Sequence, residues 1–260
     1  MELTRDIPII KYENGTVSSI DDMVVKEYAL TIILDGEEFI TLLCTPSSLD
    51  CLAVGFLLSE SIIKSKADIK KIKVDEEKGI ADVTTIESSL IAKNLHGKRT
   101  MTTGCGKGST FYNAMDSLSC KKVSSGMELS VQAILELMRD FNKRSELFLS
   151  TGGVHSVALG TDAGIMLFHE DVGRHNAMDK VIGEASLKDI LLSDKIVLTS
   201  GRVSSEMLIK AAKGQIPVIV SRSAPTDLAV ELAGQLGITV IGFARGQRMN
   251  IYSNSGRIIF

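Results

Sequence analysis

The feature that most constrains the fold is a strand–helix repeat in the last third of the chain. Short apolar runs at 195–199, 216–220 and 238–242 each have the length of a buried strand. Helical patterns at 204–212 and 227–236 lie between them. Strands that alternate with helices in this way form a parallel sheet covered by helices. The chain is therefore predicted to be an α/β protein.

Polar segments follow the three predicted strands, at the edge where open parallel sheets bind ligands. These segments are 200–206, 221–226 and 243–248, and each contains an arginine. The first two continue into helix N-termini with Ser or Thr caps, and such N-termini favour anions. Arginine adds donors that match phosphate, so the set predicts a large polyanionic ligand. The alternative is that the arginines are solvated or paired with Glu206 and Asp227.

Two histidines lie in further polar segments. His155 follows a Gly-Gly pair, and His175 belongs to the polar stretch 170–176. Neither segment has the pattern of a core strand or a plain helix cap. A structural, hydrogen-bonded histidine is the alternative for each of them.

The first half of the chain is predicted to be β-rich. Residues 24–44 and 69–86 have the alternation of two hairpins. One helix is predicted to begin near Ser48, another at Ser109, and a longer one at Ser130. In the second half, 156–159 and 164–168 are predicted paired strands, and 176–182 a helix. The best candidate boundary separates an N-terminal portion, 1–128, from an α/β portion, 129–260, although one continuous domain stays open.

Cys105 is the candidate reactive residue of the N-terminal portion. It lies in the run TTGCGKGS, with glycines on both sides and Lys107 two residues away. The glycines leave the sulfur uncovered, and the lysine favours the thiolate, which is the nucleophilic form. The alternative is a flexible loop in which the cysteine is incidental. Cys44 and Cys51 are predicted to pack in the core, and Cys120 stays open as a second reactive thiol.

The composition excludes several classes of function. The 260-residue chain has a net charge of −3 and 5% aromatic residues, which argues against a nucleic-acid partner. No apolar run reaches the ~18 residues that span a bilayer, and 1–11 lacks a signal-peptide core. We therefore expect a cytoplasmic protein without a membrane partner. Four cysteines without Cys-x-x-Cys or histidine spacing give a metal site no support.

The polar segments together resemble the FdhD family, the formate dehydrogenase accessory sulfurtransferases. The matching stretches are STGGVHS (150–156), EDVGRHNAMDKVIG (170–183), TSGRVSSEM (199–207), SAPTDLAVELA (223–233) and GFARGQRMNIY (242–252). The resemblance covers most of the chain and is most specific over 150–252.

The resemblance implies a cytidine-deaminase-like three-layer α/β/α core, a smaller β-rich N-terminal portion and a homodimer. It implies a sulfurtransferase of the carrier type, which takes sulfur from a cysteine desulfurase as a persulfide. The sulfur would pass to the molybdenum cofactor, bis-molybdopterin guanine dinucleotide, before its insertion into formate dehydrogenase. GDP or GMP would bind as fragments of that cofactor.

The family's site residues transfer to positions of this sequence that match its motifs. The persulfide residue is Cys105. Many members have two cysteines in a C-x-x-C arrangement here, whereas Gly108 stands at the second position, so a one-cysteine relay fits better than disulfide exchange. With the arginine turns and the histidines, the candidate cofactor-binding residues are Phe243, Ala244, Arg245, Gly246, Gln247, Arg248, Arg202, Ser204, Arg222, Ser223, His155 and His175. No metal ligand is expected.

Two other functions stay open at this point. A nucleotide hydrolase of deaminase-like fold would use zinc, but the His-x-Glu and Pro-Cys-x-x-Cys motifs of that chemistry are absent from the sequence. A cofactor-binding chaperone without sulfur chemistry would make Cys105 incidental.

Overall fold

Two large β-sheets organise the chain in the computed structural model, which describes residues 1–86, 100–101 and 120–260. The helices are α1 Leu49–Ser59, α2 Val131–Arg144, α3 Glu146–Thr151, α4 Arg174–Leu187, α5 Ser205–Lys213 and α6 Asp227–Leu236. The strands are β1 Thr4–Glu13, β2 Thr16–Val25, β3 Tyr28–Leu34, β4 Glu37–Cys44, β5 Ile69–Asp75, β6 Ile80–Thr85, β7 Thr100–Met101, β8 Leu129–Ser130, β9 His155–Thr161, β10 Gly164–Asp171, β11 Ile196–Thr199, β12 Val218–Ser221, β13 Thr239–Arg245, β14 Arg248–Ser253 and β15 Ile258–Ile259. Short 3-10 helices occupy Lys66–Asp68 and Ser255–Arg257.

The larger sheet has six strands in the order β10-β9-β11-β12-β13-β14. Its centre, β11-β12-β13, is parallel, and the flanking strands are antiparallel. Because successive strand residues point to opposite faces, Ile196 and Leu198 pack in the core with α2, whereas Val197 packs in the core with α4, α5 and α6. The predicted α/β class and three-layer α/β/α core are confirmed.

The smaller sheet has five strands in the order β5-β6-β3-β4-β7 and packs on α1. Helix α1 then crosses α4 in backbone contact. A Cβ built on Gly55 would lie 1.8 Å from the carbonyl oxygen of Asp179, and one on Gly183 would lie 1.9 Å from that of Cys51. Both glycines are therefore required by the close approach, which joins the two sheets through a pair of helices.

Several elements differ from the sequence prediction. Strand β13 extends to Arg245, and β14 returns from it as a hairpin, so the third polar segment turns into a strand and not a helix. The ribbon β1–β2 and the short helix α3 were not predicted. The helix predicted at 109–118 lies outside the described residues. Among the described residues, no helix is long and apolar enough to cross a membrane.

Candidate functional site

The topology brings five polar segments to one edge of the six-stranded sheet. Strands β11, β12 and β13 are parallel, so the three arginine segments leave the sheet at this edge. Strand β9 runs antiparallel to β11, which places its first residue, His155, beside them. Strand β10 ends here too, because Asp171 pairs with His155, and α4 begins directly after it. We call this the carboxyl edge: residues 155, 171–175, 200–204, 221–223 and 243–248.

The first arginine segment is tied to the start of β9. The Ser200 amide donates to the Ser156 carbonyl at 3.0 Å, and the Ser156 amide donates to the Ser200 hydroxyl at 3.0 Å. A Cβ on Gly201 would lie 3.2 Å from Cβ and Cδ of Arg174 and 3.5 Å from Nδ1 of His155. Glycine at 201 therefore lets Arg174 and His155 approach the turn that carries Arg202.

The second segment is cross-linked to the first. The Ser221 hydroxyl donates to the Gly201 carbonyl at 2.7 Å and accepts from the Ser223 amide at 2.9 Å. The Phe243 amide donates to the Ser223 carbonyl at 3.0 Å, which attaches the third segment as well. The three turns thus form one hydrogen-bonded unit, which fixes the spacing of their backbones.

Ser204 has a structural role as the N-cap of α5. Its hydroxyl accepts a hydrogen bond from the Met207 amide, as Thr226 accepts one from Ala229 at the start of α6. Glu206 lies in the first turn of α5 and Asp227 in that of α6. Both helices therefore begin at or beside the carboxyl edge, where their first amides lack partners within the helix.

The third segment is a strained hairpin. Phe243 has φ +52, in the left-handed region that bulky residues avoid, within a bulge between Gly242 and Arg245. Arg245 pairs with Arg248 across the turn, and Gly246 and Gln247 between them are exposed. Ala244 is buried in the core, so only its backbone can serve a ligand. Backbone held in this way is typical of functional sites.

The arginines of the carboxyl edge present positive charge to solvent. Arg202, Arg222, Arg245 and Arg248 are exposed. Within residues 1–86 and 120–260, no carboxylate forms an ion pair with Arg222, Arg245 or Arg248. Glu206, one of the two carboxylates considered in the sequence alternative, lies 3.2 Å from His175. The edge is thus open to an anionic ligand.

Both candidate histidines lie at this edge in the neutral form. Burial lowers the pKa of His155, and nearby Arg174 and Arg202 lower it further. Burial lowers the pKa of His175 to about 3, with Lys210 and Arg174 acting in the same direction. Glu206 Oε2 lies 3.2 Å from His175 Nε2. Neutral His175 therefore donates its Nε2–H to Glu206 and keeps Nδ1 as an acceptor.

Two buried polar atoms at the start of α4 have no hydrogen-bond partner among the described residues. They are Nδ1 of His175, an acceptor, and Nε of Arg174, a donor. Buried polar atoms are nearly always paired, so an unpaired donor and acceptor at a ligand edge indicate that a polar ligand group completes them. A structural role alone explains the contact of His175 Nε2 with Glu206, but it does not explain the unpaired Nδ1 atom.

We expect His175 to make the folded state less stable in acid. The folded-state pKa of about 3 lies below the ordinary 6.5, so between these pH values only the unfolded state takes up the proton. Stability is therefore lost as pH falls through this window. Measured by urea unfolding, the free energy of unfolding of His175→Gln should fall less between about pH 7 and about pH 5 than that of the parent. Equal losses would mean that His175 titrates normally.

A buried ion pair that the sequence analysis did not single out fixes the start of α4. Asp171 and Lys180 are both fully buried, 2.7 Å apart. Asp171 also accepts from the amides of Thr45 and Gly173, and Lys180 donates to the Thr45 carbonyl. Asn176 donates to Asp171 as well. The motif at 170–183 therefore attaches α4 and its two site residues to the end of β4.

A second buried network is centred on Asp179, the residue of α4 directly before Lys180. Lys210 of α5 donates to both carboxylate oxygens of Asp179 at 2.7 and 2.8 Å, and the Ser59 hydroxyl donates to Asp179 at 2.6 Å. His175 and Asp179 on α4 thus face Glu206 and Lys210 on α5. The position of His175 at the carboxyl edge is fixed by this pairing of helices.

Comparison with known proteins identifies the family. The FdhD/NarQ family model matches residues 25–259. The chain belongs to the FdhD/NarQ family. It is 43% identical to a protein of Geobacillus kaustophilus named sulfur carrier protein FdhD, over 97% of this chain and 96% of that one. A Bacillus subtilis protein of the same name is 41% identical, over 95% of each chain.

The fold agrees with that of a solved formate dehydrogenase accessory protein. A crystal structure from Desulfotalea psychrophila, described as that of a formate dehydrogenase accessory protein, has a TM-score of 0.82 at 26% identity. The match covers 99% of this chain and 100% of the other. The α/β architecture described above is therefore that of an FdhD protein.

The structure describes three of the four cysteines, Cys44, Cys51 and Cys120. Cys105, the candidate persulfide residue, lies outside the described residues. Cys44 and Cys51 are buried, and burial raises the pKa of each thiol to about 12. Cys120 is half-buried and packs against the larger core. The packing role predicted for Cys44 and Cys51 is confirmed, and neither supplies the thiolate that sulfur transfer requires.

Proposed function

We propose that this chain is a sulfur carrier that receives sulfur from a cysteine desulfurase as a persulfide on Cys105. The Cys105 thiolate attacks the outer sulfur of the desulfurase persulfide, the S–S bond breaks, and the desulfurase cysteine leaves as a thiolate. The S–S bond of the Cys105 persulfide would then break, with Cys105 leaving as the thiolate and the outer sulfur passing to the molybdenum cofactor. Because this sulfur is at the sulfane level, its incorporation as sulfide takes two electrons, which we assign to an external thiol reductant. The names of the relatives support the carrier role.

The observation that carries the cargo proposal is the carboxyl edge. Three hydrogen-bonded turns with exposed arginines lie beside two helix N-termini, and this chemistry favours phosphate groups. Bis-molybdopterin guanine dinucleotide carries two pyrophosphates, so it is the polyanion that we assign to this edge. The neutral histidines and the unpaired atoms of Arg174 and His175 then face uncharged polar groups of the same ligand.

The partners follow from this role. The cofactor would be delivered to formate dehydrogenase, in agreement with the description of the Desulfotalea psychrophila structure. The homodimer that the family resemblance implies and the cytoplasmic location expected from the sequence belong to the same proposal.

The experiment that tests the cargo site uses GDP as the cofactor fragment. Calorimetric titration should show that Arg245→Ala/Arg248→Ala binds GDP more weakly than the parent. Loss of two charge-assisted contacts should weaken binding by about 3 kcal/mol or more, on the order of 100-fold in Kd.

The matched control removes two arginines from α2. Arg139→Ala/Arg144→Ala lowers the net charge by the same amount but leaves the carboxyl edge intact. It should bind GDP like the parent. If both double variants bind GDP equally well, the placement of the guanine nucleotide at this edge is wrong.

A further inference from the structure

Two side-chain atoms at the start of α4 are left unexplained by the phosphate chemistry of the carboxyl edge. Nε of Arg174 is a donor and Nδ1 of His175 is an acceptor, and neither has a hydrogen-bond partner among the described residues. An ionised phosphate group offers acceptor oxygens, which would satisfy Arg174 alone. The ligand group that completes both atoms must therefore accept one hydrogen bond and donate another.

Glu206 determines that Nδ1 of His175 is the acceptor of the ring. Glu206 Oε2 lies 3.2 Å from Nε2 of His175 and, as a carboxylate oxygen, can only accept, so the ring proton resides on Nε2. Burial and the positive charges of Lys210 and Arg174 lower the pKa of His175, which keeps the ring neutral. The tautomer of His175 therefore depends on the contact between α4 and α5.

The two atoms lie close to the first arginine turn and to a second neutral ring. A Cβ built on Gly201 would lie 3.2 Å from Cβ and Cδ of Arg174 and 3.5 Å from Nδ1 of His155. Burial and the charges of Arg174 and Arg202 lower the pKa of His155 as well. Uncharged polar groups therefore suit this corner of the carboxyl edge, whereas the exposed arginines suit phosphates.

We propose that Arg174 and His175 select the cargo by the cyclic-amide edge of its ring. The ring carbonyl would accept from Nε of Arg174, and the neighbouring ring N–H would donate to Nδ1 of His175. Glu206 is then a positioning residue, because it fixes the tautomer of His175. This inference rests on the proposed function, since the proposed cargo carries such an edge in its guanine rings and in its pterin rings.

The proposed pair discriminates against adenine. Adenine has an amino group, a donor, where guanine has the carbonyl, and a bare nitrogen, an acceptor, where guanine has the ring N–H. With the phosphates held at the arginine turns, the base cannot turn over to reverse this order. ADP would therefore set donor against donor at Arg174 and acceptor against acceptor at His175. A site built to hydrogen-bond its ligand strongly rejects an analogue that leaves its polar groups unpaired.

The test measures the Kd of GDP, IDP and ADP by calorimetry for the parent, Arg174→Lys and His175→Phe. IDP keeps the cyclic-amide edge of GDP and lacks only the amino group. The parent should bind GDP and IDP alike and ADP on the order of 100-fold more weakly. Lysine keeps the positive charge without Nε, and phenylalanine keeps a ring without an acceptor. Each variant should lower the ADP-to-GDP ratio of Kd values about tenfold or more.

Glu206→Gln tests the positioning role, because the amide both donates and accepts and so releases the tautomer of His175. The same ratio should fall, although loss of the carboxylate strengthens the binding of both nucleotides. The matched control is Arg245→Ala/Arg248→Ala, which should weaken GDP and ADP equally and keep the ratio of the parent. Circular dichroism and urea unfolding check that each variant is folded. A purely structural His175 would leave the ratio unchanged in Glu206→Gln.

Two further ligands identify which part of the cargo meets the pair. Dideoxy-GDP, which lacks both ribose hydroxyls, should bind like GDP; a large loss would assign the pair to the ribose and overturn the cyclic-amide reading. If GDP and ADP bind the parent alike, free pterin should bind the parent more tightly than it binds Arg174→Lys, which places the pterin ring at the pair.

The outcomes separate this inference from the proposed function. Equal binding of GDP and ADP, together with pterin binding that the variants leave unchanged, overturns the selective pair but leaves the phosphate site standing. A parent that binds none of these ligands overturns the cargo site and the selective pair together.

Discussion

Cys105→Ala is expected to abolish sulfur loading. After incubation with a cysteine desulfurase and cysteine, the peptide of the parent that contains Cys105 should gain about 32 Da, the mass of one sulfur atom. The variant should gain none, because a persulfide needs a thiolate that attacks and then retains the sulfur. Intact-protein and peptide mass spectrometry provide the measurement. The sequence suggests no packing role for Cys105, so the variant should fold normally.

The matched control is Cys120→Ala, which removes the half-buried thiol that the sequence analysis kept as a candidate second reactive cysteine. It should load sulfur like the parent. Sulfur found only on Cys44, Cys51 or Cys120 would contradict the assignment. A Cys105→Ala variant that still supports a formate dehydrogenase maturation assay would favour the chaperone without sulfur chemistry.

The α/β core was predictable because its signals are local. Strand β11 is four consecutive buried residues, and α5 begins at a serine cap that is visible in the sequence. Prediction was less accurate where strand length depends on pairing: β13 continues to Arg245 because β14 returns beside it. The short helix α3 was missed because Glu170, far along the chain, accepts hydrogen bonds from its first amides.

The ribbon was missed for a different reason. Its strands carry apolar residues on both faces, such as Ile9 and Ile10, so the alternation that marks a half-buried strand is weak. The turn signal Asn14-Gly15 was present, and it is a strong hairpin signal.

The position of the candidate site in the fold could be predicted from the sequence, but the pairing of its side chains could not. The rule that ligands bind at the carboxyl ends of parallel strands located Arg202 and Arg222. His155 reaches the same edge through the antiparallel pairing of β9 with β11, which was not predicted from the sequence. The partner of His175 was not predictable, because Glu206 reaches it only through the packing of α4 on α5. Sequence identifies charged residues, but tertiary contacts decide which of them pair.

Asp171→Ala is expected to be the most destabilising substitution at the carboxyl edge. It would leave the Lys180 ammonium, which is fully buried, without its counter-charge, and it would remove the acceptor for Thr45, Gly173 and Asn176. Removing one partner of a buried ion pair lowers the free energy of unfolding by about 3–5 kcal/mol. Urea unfolding, followed by circular dichroism, provides the measurement.

Two further variants distinguish the cost of leaving a buried charge unpaired from the cost of losing any ion pair. Asp140→Ala removes the partner of Arg144 in an exposed pair on α2, and it should lower the free energy of unfolding by only about 0.5 kcal/mol. Asp171→Asn/Lys180→Met removes both buried charges, so it should be more stable than Asp171→Ala. If Asp171→Ala were no more destabilising than Asp140→Ala, the ion pair would not fix the start of α4. Arg174 and His175 would then owe their positions to the α4–α5 contact alone.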